Sequence, residues 1–380
     1  METLKSLHHQ ITFVLNIAPH YREPIFRLLE QNMNCRWIFG ENKTDILSCQ
    51  TSFMQDVCFL PLVKGKINTW WLKGLSKVIR EDNPHTIIFT GEIKFLSSWR
   101  MLICNRFRPK SRRLRILLWS HGWDGTERGL RRLVYKIYFG LADGLLLYGS
   151  RSKQIAIREG INPFKITIIH NSLNHDRFLQ LRKTSATIKP YILKNWFKDP
   201  SLPVIVYIGR LSFIKKLEQL IQAVALLKEN GKYFNTVIIG DGQDKTQIQN
   251  LVKELTLTEN VYFCGAIYDI AESAPILYHA DMCVSPGHIG LTAIHSLELG
   301  TPVVTHSDFS SHAPEVEVIT PGKTGHLFEK DNIDSLADAI VSQHDFNNKV
   351  GRDTVRKYCY EAVESWTPEW QLKAFNKALD

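Results

Sequence analysis

Short β-branched runs alternate with stretches of helical apolar spacing along nearly the whole chain. The runs predict strands at Ile11–Ile17, Arg36–Phe39, Thr86–Thr90, Leu114–Ser120, Gly144–Tyr148 and Lys165–His170. Amphipathic spacing predicts helices between them at Glu23–Gln31, Trp70–Glu81, Leu130–Ala142 and Ser152–Glu159. The second half repeats the alternation. Its strands are expected at Pro203–Ile208, Phe234–Ile239, Asn260–Cys264, Ala280–Ser285 and Pro302–Thr305, and its helices at Leu217–Asn230, Lys245–Leu255, Leu291–Leu299 and Ile333–Gln343. Such alternation predicts an α/β protein with parallel sheets covered by helices on both faces.

Between the halves, Arg177–Leu202 carries Pro190 and Pro200 and has only weak periodicity. The expected organisation is a first domain over 1–180, a linker over 181–202 and a second domain over 203–350, with terminal helices in 351–380 returning to the first domain. Two doubly wound domains facing each other would enclose a central cleft at the carboxyl ends of their strands, where ligands bind. Neither half has a G-x-G-x-x-G turn after its first strand, which argues against a nicotinamide dinucleotide.

Composition narrows the setting. The 380 residues are 44% hydrophobic and 22% charged, enough apolar material for a core in each domain. No apolar run is long enough to span a bilayer, and Met1–Gln10 is polar, so the expectation is a soluble, cytoplasmic protein. Seven scattered cysteines with no C-x-x-C pair read as reduced thiols, not as a zinc site. A net charge of +9 calls for an anionic partner but does not choose among nucleic acid, lipid headgroups and a nucleoside diphosphate.

Two blocks carry candidate chemistry. In "VIVYIGRLSFIKKLEQLIQ" a strand ends at Gly209 and Arg210, and Lys215 stands just before a helix. A guanidinium fork, a point charge and free amides at that place suit a diphosphate. A strand-ending arginine and a solvated lysine are the plain alternative. In "DMCVSPGHIGLTAIHSLELGTPVV" a strand leads through Gly287 and His288 into a helix whose start would expose the amides of Gly290, Leu291 and Thr292. An ordinary strand–turn–helix closed by Gly300 fits that block as well.

In order and spacing, these blocks with "IIGDG" (238–242), "VYFCG" (261–265) and "PGKTGHLF" (321–328) resemble the retaining GT-B-fold glycosyltransferases of family 4, the glycosyl transferases group 1. The resemblance covers nearly all of the second half. It implies a GT-B fold of two Rossmann-like domains, with Arg210 and Lys215 on the donor diphosphate. One departure matters. The family's two glutamates, eight positions apart, near the donor sugar and at the ribose, align with Gly287 and His295. His295 keeps a ring able to hydrogen-bond a ribose hydroxyl, and Gly287 offers backbone alone. Either the donor is gripped differently or the chain is a degenerate copy.

The first half resembles the family more thinly. "ILLWSHGWDG" ends a strand at His121, where the family has a histidine facing the donor sugar, and Asp124 adds a carboxylate. His20, Tyr21 and Arg22 follow the first strand, where the resemblance implies an acceptor loop; a plain helix start at Pro24 is the alternative for Tyr21. The segment Lys94–Lys136 interleaves apolar side chains with cations, as a contact with an anionic membrane would require. A solvated basic helix face gives the same pattern. No nucleic-acid-reading module accompanies it.

The resemblance therefore implies sugar transfer from a UDP- or GDP-linked donor to a glycan or lipid-linked acceptor, with no cofactor and no metal. A GT-B-fold epimerase, a donor-binding protein without turnover and a nucleic-acid binder are the rivals, in that order.

Overall fold

The computed structural model describes residues 11–41, 47–188 and 196–380. The chain divides into two compact units, Met1–Leu173 with Pro368–Asp380, and Asn174–Thr367.

Unit 1 contains strands β1 (Ile11–Leu15), β2 (Cys35–Gly40), β3 (Val57–Leu60), β4 (Leu62–Lys64), β5 (Trp70–Leu72), β6 (Thr86–Thr90), β7 (Arg115–Ser120), β8 (Gly144–Leu147) and β9 (Ile166–Ile168). Among the described residues seven of these form one sheet in the order β3-β2-β1-β6-β7-β8-β9, while β4 and β5 make a separate antiparallel pair. Every pairing in the large sheet is parallel. Its helices are α1 (Glu23–Asn32), α2 (Leu75–Asp82), α3 (Leu96–Arg106), α4 (Gly129–Leu141) and α5 (Ser150–Arg158). The strands are apolar on both faces because helices cover both: β1, β6 and β8 are buried throughout.

Unit 2 contains α6 (His175–Thr187), β10 (Val204–Ile208), α7 (Leu217–Glu229), β11 (Asn235–Ile239), α8 (Lys245–Glu254), β12 (Val261–Gly265), α9 (Ile270–His279), β13 (Met282–Ser285), α10 (Thr292–Glu298), β14 (Val303–His306), β15 (Gly325–Phe328), α11 (Ile333–Val350) and α12 (Arg352–Val363). Its parallel sheet runs β12-β11-β10-β13-β14-β15. Counted from β10, that is the 3-2-1-4-5-6 order of a doubly wound Rossmann sheet. The order reverses between β10 and β13, and at such a switch point the two connections leave in opposite directions and open a crevice. In unit 1 the corresponding switch lies between β1 and β6.

Several segments differ from the sequence-based expectation. Trp70–Glu81 is not one helix, because Trp70–Leu72 pairs with Leu62–Lys64 and the helix starts after Gly74, whose φ is +89°. The start of the expected linker, 181–187, is the end of the helix α6: Asn174 accepts a hydrogen bond from the Arg177 amide at its start, and Arg182 pairs with Glu298. Residues 189–195, Pro190 among them, and Met1–Gln10 lie outside the described residues. The last two helices separate. α12 belongs to unit 2, its Val355, Cys359 and Val363 buried there. α13 (Pro368–Leu379) belongs to unit 1, where the Phe375 ring stands 5.0 Å from Trp119 and 6.2 Å from Phe13. None of the described helices is long and apolar enough to cross a membrane.

Candidate functional site

In unit 2 the carboxyl ends of β10 and β13 meet at the switch point, and the residues singled out in the sequence gather there. After β10 the chain turns at Gly209, whose amide donates to the Ile239 carbonyl at 3.0 Å. Leu211 is tied to the Asp241 carbonyl at 2.9 Å. Gly242 explains the glycine in "IIGDG": a Cβ there would fall 2.1 Å from the Leu211 carbonyl oxygen. Arg210 is thereby held at the strand end, its carbonyl accepting from the Tyr207 hydroxyl at 3.0 Å. Its side chain is exposed, and no carboxylate among the described residues pairs with it.

Lys215 lies on the short turn Phe213–Lys215 before α7. Its ammonium donates to the His288 carbonyl at 2.6 Å. The backbones of the two loops are also joined, Gly287 donating to the Lys215 carbonyl at 3.0 Å and His288 to the Ile214 carbonyl at 2.9 Å. Burial pushes the Lys215 ammonium below the ordinary lysine value. A half-buried cation of this kind gains most from an anion placed beside it.

The loop from β13 to α10 is braced on its other side. Ile289 donates to His312 Nδ1 at 3.1 Å, and Ala313 donates back to the Ile289 carbonyl at 2.9 Å. The His312 ring stacks on His306, centroids 3.8 Å apart, and its Nε2 faces the His306 carbonyl at 2.9 Å. The amides of Gly290, Leu291 and Thr292 donate to no other described backbone group. His288 Nδ1 is sealed from solvent without a described partner, as is His295 Nε2. Burial depresses both rings, His295 to about 4. His295 faces inward on α10, its ring 5.3 Å from that of Phe178. Sequence reasoning missed His306, His312 and the buried Glu315, which lies near Gly290. A proline before Glu315 and two histidines six apart gave no pattern to follow.

In unit 1 a second group collects at the carboxyl strand ends. Arg22 donates from Nη2 to the Tyr148 hydroxyl, and its guanidinium lies 4.8 Å from the Trp119 ring centre. His121 follows β7 with its exposed ring 4.9 Å from Tyr148. His20 is exposed and bonded to the Leu47 carbonyl through Nδ1 at 3.3 Å, with Tyr21 edge-on to it. Asp124 is occupied locally: its Oδ1 accepts from the Thr126 amide at 2.7 Å and hydroxyl at 2.5 Å, closing an Asx turn. Glu92, after β6, was missed in the sequence. Burial pushes its carboxyl up, with Arg22 and Lys94 opposing. Among the described residues no three His, Cys, Asp or Glu side chains are grouped to hold a metal ion.

Residues 189–344 match the family model of glycosyl transferases group 1. An uncharacterized glycosyltransferase, MJ1059 of Methanocaldococcus jannaschii, is 28% identical over 244 residues, covering 61% of this chain and 57% of that protein. A GDP-mannose-dependent alpha-(1-6)-phosphatidylinositol dimannoside mannosyltransferase of Mycobacterium tuberculosis is 33% identical over 116 residues, 30% of this chain and 29% of that one. The matched stretches thus span little more than half of these curated relatives, or less. Among solved structures, the apo lipopolysaccharide outer core galactosyltransferase WaaB superposes with a TM-score of 0.67 at 17% identity, covering 97% of this chain and 98% of that chain. Anabaena Alr3699/HepE in complex with UDP gives 0.67 at 14% identity, covering 97% and 99%. These likenesses show the fold, which is GT-B.

Proposed function

We propose that the chain is a member of the glycosyl transferases group 1, moving a sugar from a UDP- or GDP-linked donor to a glycan or lipid-linked acceptor with retention at the anomeric carbon. The observation that carries this reading is the constellation at the β10/β13 switch point. Arg210 is exposed there with no carboxylate partner among the described residues, and Lys215 is locked to the His288 carbonyl. Amides at 290–292 that donate to no described backbone group follow. Two cations and free N–H groups match the charge that develops on a nucleoside diphosphate as its bond to the sugar breaks.

In this reading the anomeric C–O bond breaks toward the diphosphate, whose new charge is met by Arg210, Lys215 and the amides of Gly290, Leu291 and Thr292. The acceptor hydroxyl attacks from the same face, and its proton passes to an oxygen of the departing diphosphate. Fixed cations neutralise the leaving group, so the step as proposed needs no metal. His288 and His295, kept neutral by burial, are assigned to sugar and ribose hydroxyls, with Gly287 contributing backbone only. Unit 1 takes the acceptor through His20, Tyr21 and Arg22, and His121 contacts the reacting sugar. Asp124 shapes the turn after His121.

Work at the cytoplasmic face of a membrane is part of the same proposal. On α4 the side chains of Leu130, Leu133 and Ile137 are 76%, 51% and 48% exposed, an apolar stripe at helical spacing between Arg131, Arg132 and Lys136.

The test is donor turnover with and without a lipid-linked or glycan acceptor, reading nucleoside diphosphate release and the anomeric configuration of the product by NMR. Acceptor-dependent release with an α-linked product from an α-donor is expected. Donor binding without release would point to a degenerate copy, and free sugar formed without acceptor to an epimerase.

A further inference from the structure

At the other end of the unit 1 sheet, where β6 and β7 begin, a cavity of about 620 Å³ opens between the end of α2 and the segment after α3. Its size is that of a small-ligand site. Arg80, His85, Arg108, Arg112 and Arg113 line it, and its lining contains no carboxylate. None of the carboxylates among the described residues pairs with Arg80, Arg108 or Arg112.

The loop that carries Arg108, Arg112 and Arg113 is tied down through its backbone. Buried Asn105 donates to the Leu114 carbonyl at 2.7 Å and accepts from the Leu114 amide at 2.9 Å, closing the loop between them. Arg113 is spent on that loop, donating to the Arg106 and Arg108 carbonyls at 2.9 and 3.2 Å. Arg80 and Arg112 are exposed and share this open cavity with no carboxylate in its lining, so their like charges repel across it, weakened by solvent. An anion would relieve that repulsion. Beside Arg108, Phe107 is 85% exposed, and Ile103 one turn earlier is 44% exposed. Cations next to protruding apolar groups match a phosphate that carries acyl chains.

We propose that this cavity binds the phosphate of an anionic lipid headgroup, with Phe107 and Ile103 against the chains. The site deepens the membrane part of the reading above. Its residues lie at the opposite end of the unit 1 sheet from His20, Arg22 and His121, so lipid binding and sugar transfer can fail separately.

The experiment is titration of the intact protein with monomeric short-chain phosphatidylglycerol by calorimetry, alongside sedimentation with phosphatidylglycerol and phosphatidylcholine vesicles. Arg80→Gln with Arg112→Gln is expected to weaken the short-chain lipid by about fivefold for each arginine removed. Phe107→Ser is expected to weaken it too, while Lys232→Gln with Lys253→Gln, in unit 2, is expected to bind it as the wild type does. Unchanged binding by the Arg80/Arg112 variant, with its thermal melt intact, would overturn the proposal. So would equal affinity for glycerol 1-phosphate, which would make the ligand a free phosphate ester, or equal sedimentation with both vesicle types.

Discussion

Gly287 and Ile214 approach so closely that a Cβ on Gly287 would fall 2.2 Å from the Ile214 carbonyl oxygen and 2.8 Å from the Lys215 Cα. Both neighbours are backbone, so neither can swing away. The position where relatives are expected to carry a glutamate is therefore closed to any side chain in this conformation. What stands in its place is a loop–loop contact that holds Lys215 against His288.

Restoring a side chain at this position should accordingly do harm. Gly287→Ala is expected to cost about 1–3 kcal/mol by overpacking, read as a lower midpoint in urea. Gly287→Glu should be worse in stability and no better in turnover. A Gly287→Glu protein of wild-type stability with raised activity would show that the family's glutamate had simply been lost.

The fold was largely legible because a buried parallel strand is an uninterrupted apolar run. Thr86–Thr90 and Val204–Ile208 stand out for that reason. What escaped was held by distant partners. α6 has few apolar positions and rests on Arg182 and His175 meeting Glu298. α9 contains Pro275, which removes an amide from the helix and hides its period. At the site, Arg210 and Lys215 announce themselves by position after a strand. His312 and Glu92 become neighbours of their loops only through the sheet order, which no local pattern encodes.

Acidification should loosen the loop that carries Gly287 and His288. His312 accepts from Ile289 through Nδ1, a bond the imidazolium cannot keep. Burial, then the neighbouring His306, push His312 from the ordinary 6.5 to about 3, and burial holds His295 at about 4. Between those values and 6.5 the folded chain binds fewer protons than the unfolded one. The associated stability is whole above about pH 6.5 and is lost as pH falls toward about 4 for His295 and about 3 for His312, at about 1.4 kcal/mol for every tenfold difference in proton affinity between the folded and unfolded chain. Denaturation midpoints should drop over that range, less steeply in His312→Gln. Equal slopes for the two proteins would contradict the assignment.

On unit 1, Arg22 reaches Tyr148 with a planar fork that an ammonium cannot reproduce. Arg22→Lys is expected to raise the acceptor KM by about tenfold, the scale of one charge-assisted hydrogen bond, and to leave the donor KM alone. A matching rise in the donor KM would remove Arg22 from the acceptor side.

His121 and Asp124 should separate in the same assay. His121→Ala should lower kcat by roughly a hundredfold if the ring meets the reacting sugar. Asp124→Ala should cost about 1 kcal/mol of stability through its Asx turn, comparable to losing a helix cap, and leave most of kcat. A kcat loss in Asp124→Ala as large as in His121→Ala would make the carboxylate a participant.

The most direct test of the donor site is thermal stabilisation of the purified protein by UDP and by GDP, in the wild type and in Arg210→Ala. A ligand at a hundredfold its Kd adds about 2.7 kcal/mol, a shift of several degrees. Because the Arg210 side chain is exposed, its removal is expected to leave the unliganded melt unchanged. The account predicts stabilisation by one of the two diphosphates and its loss in the variant. Stabilisation that survives in Arg210→Ala, or none with either nucleotide, would contradict it.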